Sequence, residues 1–146
     1  MGATEKIGDP NSQGALALDP IALLKALRPL QWAKNGLVFL PFVFAVDLAW
    51  STDDLGPVPE LLLKLVFVAL AFCALSSAIY LFNDLMDRSG DRLHPVKKNR
   101  PIASGKVGVP VAVAVMIMLA TAGLVVMVLV EPFLGLAGGL YAGINV

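Results

Sequence analysis

Two long stretches almost free of charge constrain this chain more than anything else in it. Residues 107–130 run for 24 positions with no charged side chain before Glu131, and residues 61–82 run for 22 with only Lys64 near one end. A helix needs about 20 apolar residues to cross the roughly 30 Å hydrocarbon core of a bilayer. Inside that core the backbone must satisfy its own hydrogen bonds, so each stretch reads as a membrane-crossing helix. Two weaker segments flank them. Residues 36–50 are apolar but contain Pro41 and Asp47, and they are expected to form either a crossing that begins near Leu30 or a broken one. Residues 132–146 are apolar throughout and cover part of a fourth. Composition agrees, since 58% of the residues are hydrophobic and 15% charged, whereas soluble domains sit nearer half and a quarter. The expected fold is all-α, a polytopic transmembrane helical bundle with about four spans in this chain. The single cysteine, Cys73, lies in an apolar run and leaves no intrachain disulfide possible.

Formal net charge is zero, yet the charges are segregated along the chain. Arg88, Arg92, Lys97, Lys98, Arg100 and Lys106 crowd between the two strong spans, and Lys6, Lys25, Arg28 and Lys34 precede or open the first segment. The connector between the first segment and residue 61 carries Asp47, Asp53, Asp54 and Glu60 with no Lys or Arg. Basic loops stay on the cytoplasmic side, so the N-terminus and the loop at 83–106 are expected inside a bacterial plasma membrane and the acidic connectors outside. Residues 1–24 read as a disordered cytoplasmic tail and residues 25–146 as the membrane domain. Membrane lipids are its expected surroundings, with no nucleic-acid partner. The apolar C-terminal segment stops partway across a bilayer, which implies a missing C-terminal half of the bundle.

Asn83, Asp84, Asp87 and Asp91 follow directly on the second strong stretch. If the helix continues, the aspartates at i, i+3 and i+7 fall within about 60° of one face, with the outer pair about 10 Å apart along the axis. Carboxylates there are costly unless paired or metal-bound. They suit one or two Mg²⁺ ions that in turn bridge a diphosphate, because Mg²⁺ takes few protein carboxylates and completes its shell with phosphate oxygens and water. Asn83 could orient ligands or donate to a phosphate, and Arg88 lies near Asp84 on the same wheel. Gly90 is a weak helix residue where the helix could break. Downstream, Pro95 and Pro101 bound a turn carrying Lys97, Lys98 and Arg100, which suit phosphate as point charges and as a fork respectively. His94 is the only histidine, so a zinc site is not expected and a hydrogen-bonded structural role is. Spacing alone points to a Mg²⁺-dependent site for a phosphorylated, lipidic substrate.

The pattern Asn83-Asp84-x-x-Asp87-x-x-x-Asp91 resembles the first aspartate-rich motif of the UbiA-type prenyltransferase superfamily of intramembrane helical enzymes. The stretches RPLQWAKN (28–35), SAIYLFND (77–84) and HPVKKNRPIASG (94–105) further resemble its phosphoribosyl-transferring branch, which acts on decaprenyl phosphate. The resemblance implies a partial UbiA-like domain over residues 25–146, the first half of a larger bundle. It implies that Asp84, Asp87 and Asp91 are catalytic through Mg²⁺ and that Asn83 helps them bind the diphosphate of phosphoribosyl diphosphate. Lys97 and Arg100 would contact phosphates, and Lys34 with Asn35 would approach from the first helix. The implied reaction moves a 5-phosphoribosyl group onto a polyprenyl phosphate, a step toward cell-wall arabinan. Two other readings stay open at this point: transfer of a prenyl chain from its diphosphate to an aromatic or other acceptor, and a non-catalytic membrane subunit or inactive fragment.

Overall fold

A computed structural model describes residues 17–145, and its regular elements are helical throughout those residues, apart from two isolated bridges. Helix α1 covers Pro20–Ala26. Asp19 caps it, accepting the backbone N–H groups of Ile21 at 3.0 Å and Ala22 at 3.1 Å, and Pro20 occupies the first turn, where no N–H is needed. A 3₁₀ stretch, Pro29–Phe39, leads into the short α2, Leu40–Phe44. The long α3 spans Val58–Met86, α4 spans Arg88–Leu93, α5 spans Val109–Val130 and α6 spans Pro132–Asn145.

Of the four expected crossings, two helices are long and apolar enough to traverse a membrane, α3 and α5. The first segment takes the broken alternative: it winds as 3₁₀ after Pro29 and turns back at Asp47, whose φ is 65°. Trp50 closes that turn by stacking on Phe42 at 5.1 Å and donating its indole N–H to the Phe42 carbonyl at 3.0 Å. The fourth segment, α6, has 14 residues, about 21 Å of helix and short of a full crossing.

The N-terminal expectation also changes. Residues 1–16 lie outside the described residues, but residues 17–24 belong to the domain rather than to a loose tail. Leu18 bridges Val107, Gly108 donates to the Ala17 carbonyl at 2.8 Å, and Ala22 is buried.

The two long helices run antiparallel. Near one end Leu81 and Ala112 share a core with Ala22, Ala26, Ile102 and Val107; further along, Ala71 and Leu75 meet Met127. They approach closely at Gly123, where a β-carbon would lie 2.9 Å from Leu75 Cγ and 3.0 Å from the Ala71 carbonyl. Helix α6 folds back on this pair, with Tyr141 edge-on to Phe72 at 5.4 Å. The first core anchors the loop between α4 and α5 against the end of α3, and this fixes the site.

Candidate functional site

Helix α3 carries its apolar face into the bundle and then delivers Asn83 and Asp84 at its end. The helical path breaks at Asp87, not at Gly90, yet the backbone bonds from Asp87 to Asn83 and from Asp91 to Asp87 keep the helical rise. Asp84 and Asp91 therefore stay on one side, and both are buried, each with a side chain 3% exposed.

Two arginines neutralise them. Arg28 Nη2 donates to Asp84 Oδ1 at 2.8 Å; Arg100 Nη1 lies 2.8 Å from Asp91 Oδ2 and 3.3 Å from Asp84 Oδ1. Ideal helix geometry separates the outer aspartates along the axis, but both side chains reach the same guanidinium nitrogen and so converge. Two carboxylates facing two guanidiniums balance in charge, the condition for burying such groups at the end of an apolar helix.

The turn that holds Arg100 follows from its sequence. His94 Nδ1 accepts the N–H groups of Val96 and Lys97, each at 3.2 Å, which tightens the chain into a short 3₁₀ turn, Lys97–Asn99. His94 thus takes the structural role expected of it. Arg100 then adopts the extended conformation favoured before proline, aiming it back at α3. Ile102 is fully buried, Arg92 Nε donates to the Ala103 carbonyl at 3.1 Å, and Gly105 supplies the left-handed φ of 79° that returns the chain toward α5.

Beside this pair lies an open polar cavity of about 360 Å³, lined by Asp87, Ser89, Gly90, Asp91, His94 and Lys97, with Met86 at its edge. Asp87 and Lys97 are exposed there. The three aspartates expected to share a metal site therefore divide. Asp87 and Asp91 face the cavity, while Asp84 does not line it and gives its Oδ1 to two guanidiniums. Among the described residues no group of three His, Cys, Asp or Glu side chains is placed to hold a metal ion together. The donors suit a hard cation that takes one or two carboxylates and fills its shell with phosphate and water; they do not form an all-protein cage.

The remaining expected residues scatter. Arg88 is half-buried, its Nε buried without a partner, and it does not line the cavity. Asn83 is half-buried. Lys34 is exposed, and Asn35 spends its amide on Cys73 Sγ at 3.3 Å and Ser76 Oγ at 3.5 Å. Ser76 precedes Asp84 by eight residues, about 12 Å along α3, so Asn35 does not join the carboxylates. Sequence reasoning missed Arg28 as a site residue, treating it as flanking charge. The available signal was its place immediately before Pro29, where a right-handed helical conformation is disfavoured.

An apolar groove of about 270 Å³ runs between α3, α5 and α6, lined by residues that include Ile79, Phe82, Met116 and Thr121. Phe82 and Met86 are one turn apart on α3, so groove and polar cavity follow the same helix face.

Fold and site together define a helical protein of membrane type with an acidic and basic phosphate-suited site at one end of its longest helix. The chain belongs to the UbiA prenyltransferase family, whose pattern matches residues 38–145. Among curated relatives, Nodulation protein NoeC of Azorhizobium caulinodans is 42% identical over 66% of this chain and 28% of its own length. Decaprenyl-phosphate phosphoribosyltransferase of Mycolicibacterium smegmatis is 39% identical over 71% of this chain and 31% of its own length. The enzyme of the same name from Mycobacterium tuberculosis is 35% identical over 82% and 38% respectively. The chain thus spans about a third of the length of the curated relatives it matches.

Proposed function

We propose that this chain binds the diphosphate-bearing donor of a transferase that moves a 5-phosphoribosyl group from phosphoribosyl diphosphate to a polyprenyl phosphate. The observation that carries the reading is the polar cavity lined by Asp87, Asp91 and Lys97, with Arg100 paired to Asp91. Family membership supports a transferase, and the names of the mycobacterial relatives support the phosphoribosyl donor and the lipid acceptor.

Asp87 and Asp91 are the residues that would hold Mg²⁺. When bound, the ion supplies charge neutralisation to a departing diphosphate. Lys97, mobile on its four-carbon stem, binds a phosphate as a point charge, and the Arg100 fork offers nitrogens beyond the one spent on the aspartates. The bond between the anomeric carbon and the diphosphate oxygen breaks as a bond to the lipid phosphate oxygen forms. That nucleophile is already anionic near neutral pH, so the site needs no general base, in keeping with a His94 whose Nδ1 is committed to the backbone. The apolar groove along the same face of α3 suits the hydrocarbon tail of the acceptor. The basic loop supports a cytoplasmic position for this end of α3 at the plasma membrane.

The test uses membranes carrying the protein as its gene encodes it. One arm supplies labelled phosphoribosyl diphosphate with polyprenyl phosphate; the other supplies labelled prenyl diphosphate with an aromatic acid. Label in lipid from the first arm supports the reading, and label incorporated only in the second rejects it in favour of prenyl transfer. Turnover unchanged by Asp87→Asn would instead favour a non-catalytic subunit.

A further inference from the structure

Arg28 has an unusual backbone. Its φ of 53° and ψ of 58° place it in the left-handed region, which a residue bearing a β-carbon avoids. Such outliers persist where the surroundings over-determine them, and they concentrate at functional sites. Here the surroundings are explicit. Pro29 disfavours the right-handed alternative, the Arg28 N–H donates to the Lys25 carbonyl at 3.2 Å, and the Gln31 N–H donates to the Arg28 carbonyl at 2.8 Å. The guanidinium lies over the Tyr80 ring, 4.5 Å from its centroid. Tyr80 and Asp84 are one turn apart on α3, so the ring and the carboxylate grip the same cation from adjacent positions.

Asp84 is then the midpoint of a chain of shared atoms. Its Oδ1 accepts from both Arg28 and Arg100, and the Arg100 Nη1 is divided between Asp84 and Asp91. The contact to Asp84 is the longer of the two. If Arg28 left, the uncompensated charge on Asp84 would draw Arg100 inward and away from Asp91, the carboxylate that faces the cavity.

We infer that Arg28 is a positioning residue of the site: clamped by its left-handed backbone and Tyr80, it satisfies Asp84 and thereby leaves Arg100 on Asp91. This rests on the functional reading above only where it concerns the ligand. The relay itself consists of hydrogen bonds within the chain and does not depend on that ligand.

Two measurements separate the claims. The first is thermal unfolding of the ligand-free protein in detergent, comparing Arg28→Gln, Asp91→Asn and the double variant. Arg28 and Asp91 share no hydrogen bond, so the relay predicts a double variant whose loss falls well short of the two single losses combined. Additive losses would overturn it. Should Arg28→Gln not fold, Tyr80→Leu, which loosens the hold on Arg28, takes its place: paired with Asp91→Asn it should show a smaller shortfall of the same sign, and additive losses again overturn the relay.

The second is binding of inorganic diphosphate with Mg²⁺, measured well below the melting temperature. Arg28→Gln is expected to weaken it roughly tenfold, Tyr80→Leu roughly fivefold, and Tyr80→Phe, which keeps the ring face, less than about twofold. Unchanged binding by a folded Arg28→Gln protein would reduce Arg28 to a structural residue and overturn the inference. A wild-type protein that binds no Mg²⁺-diphosphate would sink the functional reading, while the unfolding comparison still judges the relay.

Discussion

Arg100 is the most exposed test of the charge arrangement, because one of its nitrogens serves two buried carboxylates. Replacing it with Gln removes the only cation paired with Asp91 among the described residues, whereas Asp84 keeps Arg28. Removing one partner of a buried ion pair costs about 3–5 kcal/mol, chiefly because the other charge is stranded. Arg100 is itself 27% exposed, so water reaches the stranded carboxylate, and the lower end, about 3 kcal/mol, is expected. For a chain of this size that corresponds to a fall in Tm on the order of 10 °C. Adding Asp91→Asn removes the stranded charge and should restore most of the lost stability, about 2 kcal/mol. It should restore no turnover, because both groups belong to the proposed donor site. Fluorescence-monitored melting of wild type, Arg100→Gln, Asp91→Asn and the double variant in one detergent, beside labelled-donor turnover of each, measures both quantities. An Arg100→Gln protein melting within about 2 °C of wild type would refute the reasoning, as would a double variant less stable than Arg100→Gln alone.

Asp87→Asn should leave Tm nearly unchanged, within about 0.5 kcal/mol, because Asp87 is exposed and unpaired among the described residues, yet cut turnover by roughly a hundredfold. Equal turnover would remove Asp87 from the site. Chelation with EDTA should abolish transfer and added Mg²⁺ restore it; transfer that persists in excess chelator would exclude the proposed role for the ion. Asn35→Ala should cost about 1 kcal/mol of stability through its lost bonds to α3 while donor KM moves less than about twofold; a large rise in KM with Tm unchanged would place Asn35 in the site after all. Gly123→Leu should lower Tm strongly, by about 3 kcal/mol or more, since the Ala71 carbonyl in its way is backbone and cannot give; a variant as stable as wild type would refute the close approach of α3 and α5.

The strong parts of the fold were legible because they depend on one variable. An apolar run of about 20 residues is long enough, as a helix, to cross a bilayer, and α3 and α5 follow the two runs closely. The Asp-rich end of α3 and the basic turn were legible for a similar reason, since charge at the end of an apolar helix requires a partner. What sequence spacing could not resolve was how the three aspartates divide. Helical periodicity puts them on one face, but Arg100 and Arg28 arrive from distant segments and take Asp84 out of the shared cavity. No local pattern announces a partner 56 residues away.

The first segment shows the limit most clearly, and its geometry explains why Arg28 belongs to the site while Lys34 and Asn35 do not. A 3₁₀ helix has three residues per turn, so Trp32 and Asn35 eclipse one another on one face. Both reach α3: the Trp32 indole donates to Ser77 Oγ at 3.0 Å, and Asn35 meets Cys73 and Ser76. Arg28, Trp32 and Asn35 therefore meet α3 at residues 84, 77 and 73–76, in falling order, so the segment runs away from the carboxylates as it proceeds. Only its first residue can stand at the end of α3. The sequence reading assigned Lys34 and Asn35 of this stretch to the site and left Arg28 out, whereas the direction of the backbone puts Arg28 at the carboxylates and carries Lys34 and Asn35 away from them. The consequence extends to any substitution in this stretch. Changes at Arg28 should alter how the site handles charge, and changes at Trp32 or Asn35 should alter how firmly the segment is held to α3.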